Sequence, residues 1–126
     1  MWFPRLALFG VSAVSVACSS STSPSCSSDC VTIQDFSFAP STMTIKVGTR
    51  VTWTNAGPSA HTATSDGGVW DSGTLGAPSG GGGYGGATAG GTYQFTFNTA
   101  GTYNYHCKLH PPTSYPGFTG TITVMP

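Results

Sequence analysis

Charge is what this sequence has least of. Lysine and arginine together number 4, aspartate and glutamate 4, and charged residues make up 6% of the 126-residue chain, against about 25% in an ordinary soluble protein. The basic residues Arg5, Lys46, Arg50 and Lys108 are scattered. No stripe forms that could neutralise a phosphate backbone, so nucleic acid is excluded as a partner. No stretch of useful length carries helical periodicity, and the chain is too short for two cores of ordinary size. The apolar run at 6–17 is too short to span a bilayer. What the sequence does have is glycine (18), proline (9), serine and threonine, the composition of short strands joined by turns.

The apolar run follows Arg5 and has the layout of an export signal, so residues 1–17 are expected to be removed. It ends in Ser15-Val16-Ala17-Cys18, small residues before a cysteine. This resembles the bacterial lipoprotein processing site, with Ser15 where that pattern prefers leucine. Cys18 is accordingly the expected lipid attachment point, with ordinary cleavage at the same bond as the alternative. Residues 18–30 are rich in serine and lack the apolar surface needed to offset the entropy of ordering, which predicts a flexible tether. Cys26 and Cys30 are candidates for a local disulfide in an oxidising compartment; both thiols could instead stay free or pair between molecules. The expected location is outside the cytoplasm, periplasmic or anchored to a membrane.

From Val31 onward two-residue alternation recurs between turn signals, the pattern of half-buried strands in an all-β sandwich. Val31 and Ile33 share a face. Phe36 and Phe38 have the opposite parity, which predicts a bulge or bend near Asp35. Met43, Ile45 and Val47 alternate with Thr44 and Lys46, and Gly48-Thr49 leads into Val51 and Trp53; the two runs read as paired strands. Tyr93, Phe95 and Phe97 form another run, followed by Tyr103, Tyr105 and Cys107 on one face. Ile122 and Val124 point inward and Met125 outward. Segment 76–90, with Pro78 and repeated glycines, reads as a mobile surface insertion.

Cys107 therefore ends an inward-facing strand, and His110 follows three residues later on a loop. Alone, such a pair is weak evidence, since buried cysteine is often a small apolar residue. Upstream, Val51-Thr52-Trp53-Thr54-Asn55 precedes His61-Thr62, and the chain closes on Gly120-Thr121-Ile122-Thr123-Val124. Together with Phe38-x-Pro40, Trp70-Asp71-Ser72-Gly73, Phe95-Thr96-Phe97 and Gly101-Thr102-Tyr103, this combination resembles the plastocyanin, pseudoazurin and amicyanin group of cupredoxins over residues 31–126.

The resemblance implies a two-sheet Greek-key sandwich of seven or eight strands. It also implies a single type 1 copper held by His61, Cys107 and His110, with the Thr62 amide donating to the sulfur. Soft thiolate suits Cu(I), and imidazole suits both oxidation states. The family's axial methionine is missing: counting back from Gly120 puts Phe118 in its place, and no methionine lies between His110 and Gly120. The expectation is a three-coordinate centre with Phe118 over the axial face, supplemented by the Ala60 carbonyl, in a longer ligand loop than usual.

The implied function is one-electron transfer through the exposed edge of His110, with partner redox proteins docking on the apolar collar of Pro111, Pro112, Tyr115, Pro116 and Phe118. The protein is expected to be a monomer and not an enzyme, because three histidines leave none for a second copper centre. Copper delivery without a dedicated electron-transfer role is the alternative. His106 has outward parity, Lys108 reads as a solvated charge, and Asp66 and Asp71 read as turn residues.

Overall fold

The computed structural model describes residues 28–80 and 86–126. The expected export signal, Cys18 and Cys26 lie outside the described residues. Cys30 is disulfide-bonded, and among the described residues Cys107 is the free cysteine.

Eight strands form two four-stranded sheets. They are β1 (Cys30–Gln34), β2 (Ser37–Ala39), β3 (Thr42–Lys46), β4 (Arg50–Asn55), β5 (Thr64–Ser65), β6 (Thr92–Thr96), β7 (Gly101–His106) and β8 (Thr119–Met125). One sheet runs β2-β1-β4-β6 and the other β3-β8-β7-β5. Within them β1 pairs with β4, and β3 with β8, in parallel; the remaining pairs are antiparallel. Alternation places Val31, Ile33, Val51 and Trp53 of the first sheet against Ile45, Tyr105, Ile122 and Val124 of the second in one buried core.

One local expectation is corrected and another is made specific. The runs around Met43–Val47 and Val51–Trp53 do not pair with each other: β3 lies beside β8, and β4 lies between β1 and β6. A glycine at positive φ (Gly48, 89°) serves a corner between sheets as well as a hairpin. Here the corner is fixed by Val47 N–H to the Met125 carbonyl (2.9 Å) and Gly48 N–H to the Phe97 carbonyl (2.7 Å). The inner face of β3 consequently ends at Ile45, and Val47 is exposed. Near Asp35, of the expected bulge or bend, the chain makes the bend, as a full reversal: Gln34 opposes Ser37, and Asp35-Phe36 forms the turn, with Phe36 at φ 64°. That reversal turns Phe36 out to the surface while Phe38 is buried.

The segment expected as an insertion has paired legs. Ser79 and Thr88 exchange two backbone hydrogen bonds (3.0 and 2.9 Å), and their hydroxyls bond at 2.8 Å.

Aromatic rings fill the centre: Trp53 lies 5.5 Å from Trp70 and 5.7 Å from Tyr105. Tyr105 is fully buried over Gly120, where an added Cβ would fall inside the tyrosine ring. Its hydroxyl has no hydrogen-bond partner among the described residues. Burial pushes its pKa up to about 12, with the Trp53 indole opposing the rise. In the unfolded chain tyrosine ionises near pH 10, so between the two values the unfolded state binds fewer protons and stability falls as pH rises. Tyr105→Phe removes an unpartnered buried hydroxyl. It is expected to raise stability by about 1 kcal/mol at pH 7 and to flatten the loss of Tm above pH 10 in thermal melts.

Candidate metal centre

The first segment of the site is a loop hung from the end of β4. Asn55 is buried there and spends its whole side chain on the loop. Its amide donates to the carbonyls of Ser59 (2.8 Å) and Leu75 (2.9 Å), and its oxygen accepts from the Gly57 N–H at 3.0 Å. His61 then exchanges backbone hydrogen bonds with Leu75 (3.1 and 2.7 Å), which brings its imidazole inside with no exposure. Cys107 follows β7 with the inward parity of Tyr105 and is likewise fully buried. His110, on the loop after it, is half-buried.

These segments converge. Cys107 Sγ stands 3.9 Å from His61 Nδ1 and 3.7 Å from His110 Nδ1, and the three donor atoms lie within 4.8 Å of one another. With bonds of about 2.0 Å to nitrogen and about 2.3 Å to sulfur, a trigonal ion would need sulfur–nitrogen edges of about 3.7 Å, and both edges here match that requirement for one soft metal ion. The Thr62 N–H donates to Cys107 Sγ at 3.3 Å. The Thr62 hydroxyl oxygen accepts the Lys108 N–H at 2.9 Å, so one threonine ties the two ligand-bearing segments together.

Asp35 was read from sequence only as the neighbourhood of a bend. In the structure its Oδ1 is 2.9 Å from His61 Nε2. An ionised carboxylate only accepts, so Nε2 carries the proton and Nδ1 presents its lone pair towards the sulfur. Asp35 is held in turn by the Ser59 N–H (3.3 Å) and hydroxyl (3.1 Å). Its pKa lies below the usual carboxylate value, chiefly through the His61 hydrogen bond. Nothing in residue spacing signals a partnership across 26 positions; the available hint was a carboxylate where the parity of Val31 and Ile33 gives way to that of Phe36 and Phe38.

Aromatic rings surround the donors. Phe118 is fully buried, its ring edge-on to His61 at 5.1 Å and 6.3 Å from His110. Phe36 and Tyr115 stack at 4.3 Å, and both rings contact His110, at 5.2 and 5.1 Å. Ala60, half-buried, immediately precedes His61. Of the methionines in the described residues, Met43 lies on β3 and Met125 is exposed at the end of β8.

The residues flanking Cys107 leave the centre. His106 Nδ1 meets Asp66 Oδ1 at 2.6 Å. Lys108 is exposed, as a solvated charge should be, and also donates to Asp71. That carboxylate also accepts from the Gly73 N–H (2.9 Å) and the Thr64 hydroxyl (3.2 Å), and the lysine holds its pKa below the usual value. The pair forms because the loop containing Asp71 packs beside β7 through the β5 pairing, a proximity with no local sequence signature.

Comparison with known proteins agrees with this geometry. Residues 25–125 match the family described as copper binding proteins, plastocyanin/azurin family. A plastocyanin from Scenedesmus fuscus is 39% identical over 97 residues, covering 69% of this chain and 85% of the relative. Among solved structures, an oxidised amicyanin variant superposes with a TM-score of 0.54 at 28% identity, covering 78% of this chain and 82% of its own. A purple cupredoxin from Nitrosopumilus maritimus, 23% identical, shares the fold with a TM-score of 0.55, covering 76% of this chain and 98% of its own.

Asn55→Ala would remove all three side-chain hydrogen bonds that brace the loop, leaving the Leu75 carbonyl to the His61 N–H and the Gly57 N–H to the Ile33 carbonyl. It is expected to cost about 2–3 kcal/mol and to speed loss of bound metal, measured by denaturant titration and by competition with a chelator.

Proposed function

Because the chain belongs to the plastocyanin/azurin family of copper-binding proteins, we propose that it is a one-electron carrier working at the bacterial cell envelope, outside the cytoplasm. The observation that carries this reading is the convergence of Cys107 Sγ with the Nδ1 atoms of His61 and His110, all within 4.8 Å of one another. Bound there, copper supplies a Cu(I)/Cu(II) couple.

The chain's own residues do the rest. Thr62 and Asn55 brace both ligand segments, so the donors have little freedom to move when the charge at the centre changes, and small rearrangement favours fast transfer. The Thr62 N–H stabilises thiolate character on Cys107. Phe118 packs edge-on against His61 where relatives carry a thioether; with copper bound, an apolar ring in place of a sulfur donor would disfavour the more highly charged Cu(II) and raise the potential, and the Ala60 carbonyl would be a candidate supplement. His110 reaches from the buried donors to the surface and is the route for the electron.

Phe118 is fully buried and drops out of the expected collar, and exposed Phe36 stands in its place; with few charges, the collar of Phe36, Tyr115 and the loop prolines is the docking face for partner redox proteins, and binding there should be only weakly sensitive to salt. A lipid on Cys18 would tether this monomer to a membrane. The histidine count also argues against an enzyme with a second copper centre: His61 and His110 serve the first, and His106 is engaged by Asp66.

The test is the visible spectrum after addition of one equivalent of Cu(II). An intense orange-red absorption lost in Cys107→Ser and on reduction is expected; a pale product would show that the ligands do not assemble. Phe118→Met should lower the potential by roughly 60 mV, equivalent to one tenfold change in relative affinity, and an unchanged potential would remove Phe118 from the axial position. Rapid copper exchange with slow electron self-exchange would instead favour copper delivery.

A further inference from the structure

We infer that Asp35 is a positioning residue for the metal centre, lowering its potential through His61 and so opposing the effect of Phe118; the inference rests on the copper reading of His61. Three observations carry it. His61 is fully buried, so its Nε2–H needs a protein acceptor in place of water, and Asp35 Oδ1 at 2.9 Å is that acceptor. The acceptor is a carboxylate, and a carboxylate behind a ligating imidazole both fixes the tautomer and raises the basicity of the opposite nitrogen. The carboxylate is also placed with care. Ser59 grips both of its oxygens, and it sits in a two-residue turn whose other member, Phe36, adopts φ 64°, a conformation uncommon for a bulky side chain.

The direction of the effect follows from charge. A negative group one imidazole away stabilises the centre more when it carries the extra positive charge, and a more basic Nδ1 does the same. Removing that charge weakens the hold on Cu(II) more than on Cu(I), so the potential rises. Phe118 and Asp35 thus act in opposite senses on the two sides of His61: an apolar ring edge-on to the imidazole at 5.1 Å and a carboxylate on its far nitrogen.

The test uses the copper-loaded protein and three variants, read by visible absorption, by reduction potential and by thermal melts. Asp35→Asn keeps an oxygen that can accept the Nε2–H bond and removes only the charge. Asp35→Ala removes both. Ser59→Ala loosens the turn while leaving Asp35 on His61. The expected result is that Asp35→Asn retains the thiolate absorption and shifts the relative Cu(II)/Cu(I) affinity about tenfold, raising the potential by about 59 mV. Asp35→Ala should match or exceed that rise and release copper at least tenfold faster, whereas Ser59→Ala should lower Tm without moving the potential. If Asp35→Asn keeps the absorption but the parent potential as well, the inference is overturned while the copper reading stands. An equal rise in Ser59→Ala would also overturn it, by reducing Asp35 to a loop tie. Absence of the absorption from the parent protein would overturn the copper reading, and the inference with it.

Discussion

A sulfur buried as fully as that of Cys107 needs a hydrogen-bond donor if it is to carry negative charge, and the Thr62 amide, 45 residues away in sequence, is that donor. Much of the site can be traced from this contact. To bring Thr62 to the sulfur, the loop after β4 must turn back over the sandwich, which Asn55 arranges by bonding to both Ser59 and Leu75. Once Thr62 is in place, its hydroxyl receives the Lys108 amide and directs the chain beyond Cys107 towards the position of His110. His61 is carried inward by the same loop. The donors are therefore positioned by backbone hydrogen bonds of the protein itself, which is what a centre that changes charge without changing shape requires.

What could be read from the sequence was what side-chain parity determines. Val31 and Ile33, Val51 and Trp53, Tyr105 and Cys107, and Ile122 and Val124 all face inward as their alternation implies, and this was enough to bring Cys107 into the interior. Choice of strand partner is not a local property. The alternation on either side of Gly48 is the same whether the chain makes a hairpin or crosses between layers, and only the whole sandwich decides that β3 joins β8. Asp35 illustrates the same limit at the site. Its turn was visible in the clash of parity between Ile33 and Phe36, but its hydrogen bond to His61 depends on two loops meeting, and local patterning does not encode that. Lys108 and Asp71 were missed for the same reason.

The scarcity of charge takes on meaning once the ion pairs are placed. Asp35 bonds to His61, Asp66 to His106 and Asp71 to Lys108. Each basic partner is either one of the donor histidines or a direct neighbour of Cys107. The few carboxylates of this domain are thus gathered around the segments that bear the donors, and the aromatic rings of Phe36 and Tyr115 are left to define the surface beside His110. An exposed ion pair contributes at most about 1 kcal/mol, so the value of those at Asp66 and Asp71 lies more in orienting the strand end on either side of the sulfur than in stability.

The meeting of Tyr105 with Gly120 imposes a rule of exchange on the two strands that enclose the centre. The hydroxyl end of the tyrosine ring packs on the backbone of β8 at the one point where that strand offers no side chain. A residue larger than glycine at 120 therefore demands a smaller one at 105, which would empty the middle of the aromatic core two residues before the sulfur. Alternatively it demands that β8 move outward, which would shift Phe118 with it. Volume at position 120 and the environment of the metal donors are in this sense one variable: any chain built on this plan that enlarges the glycine must redesign its centre at the same step.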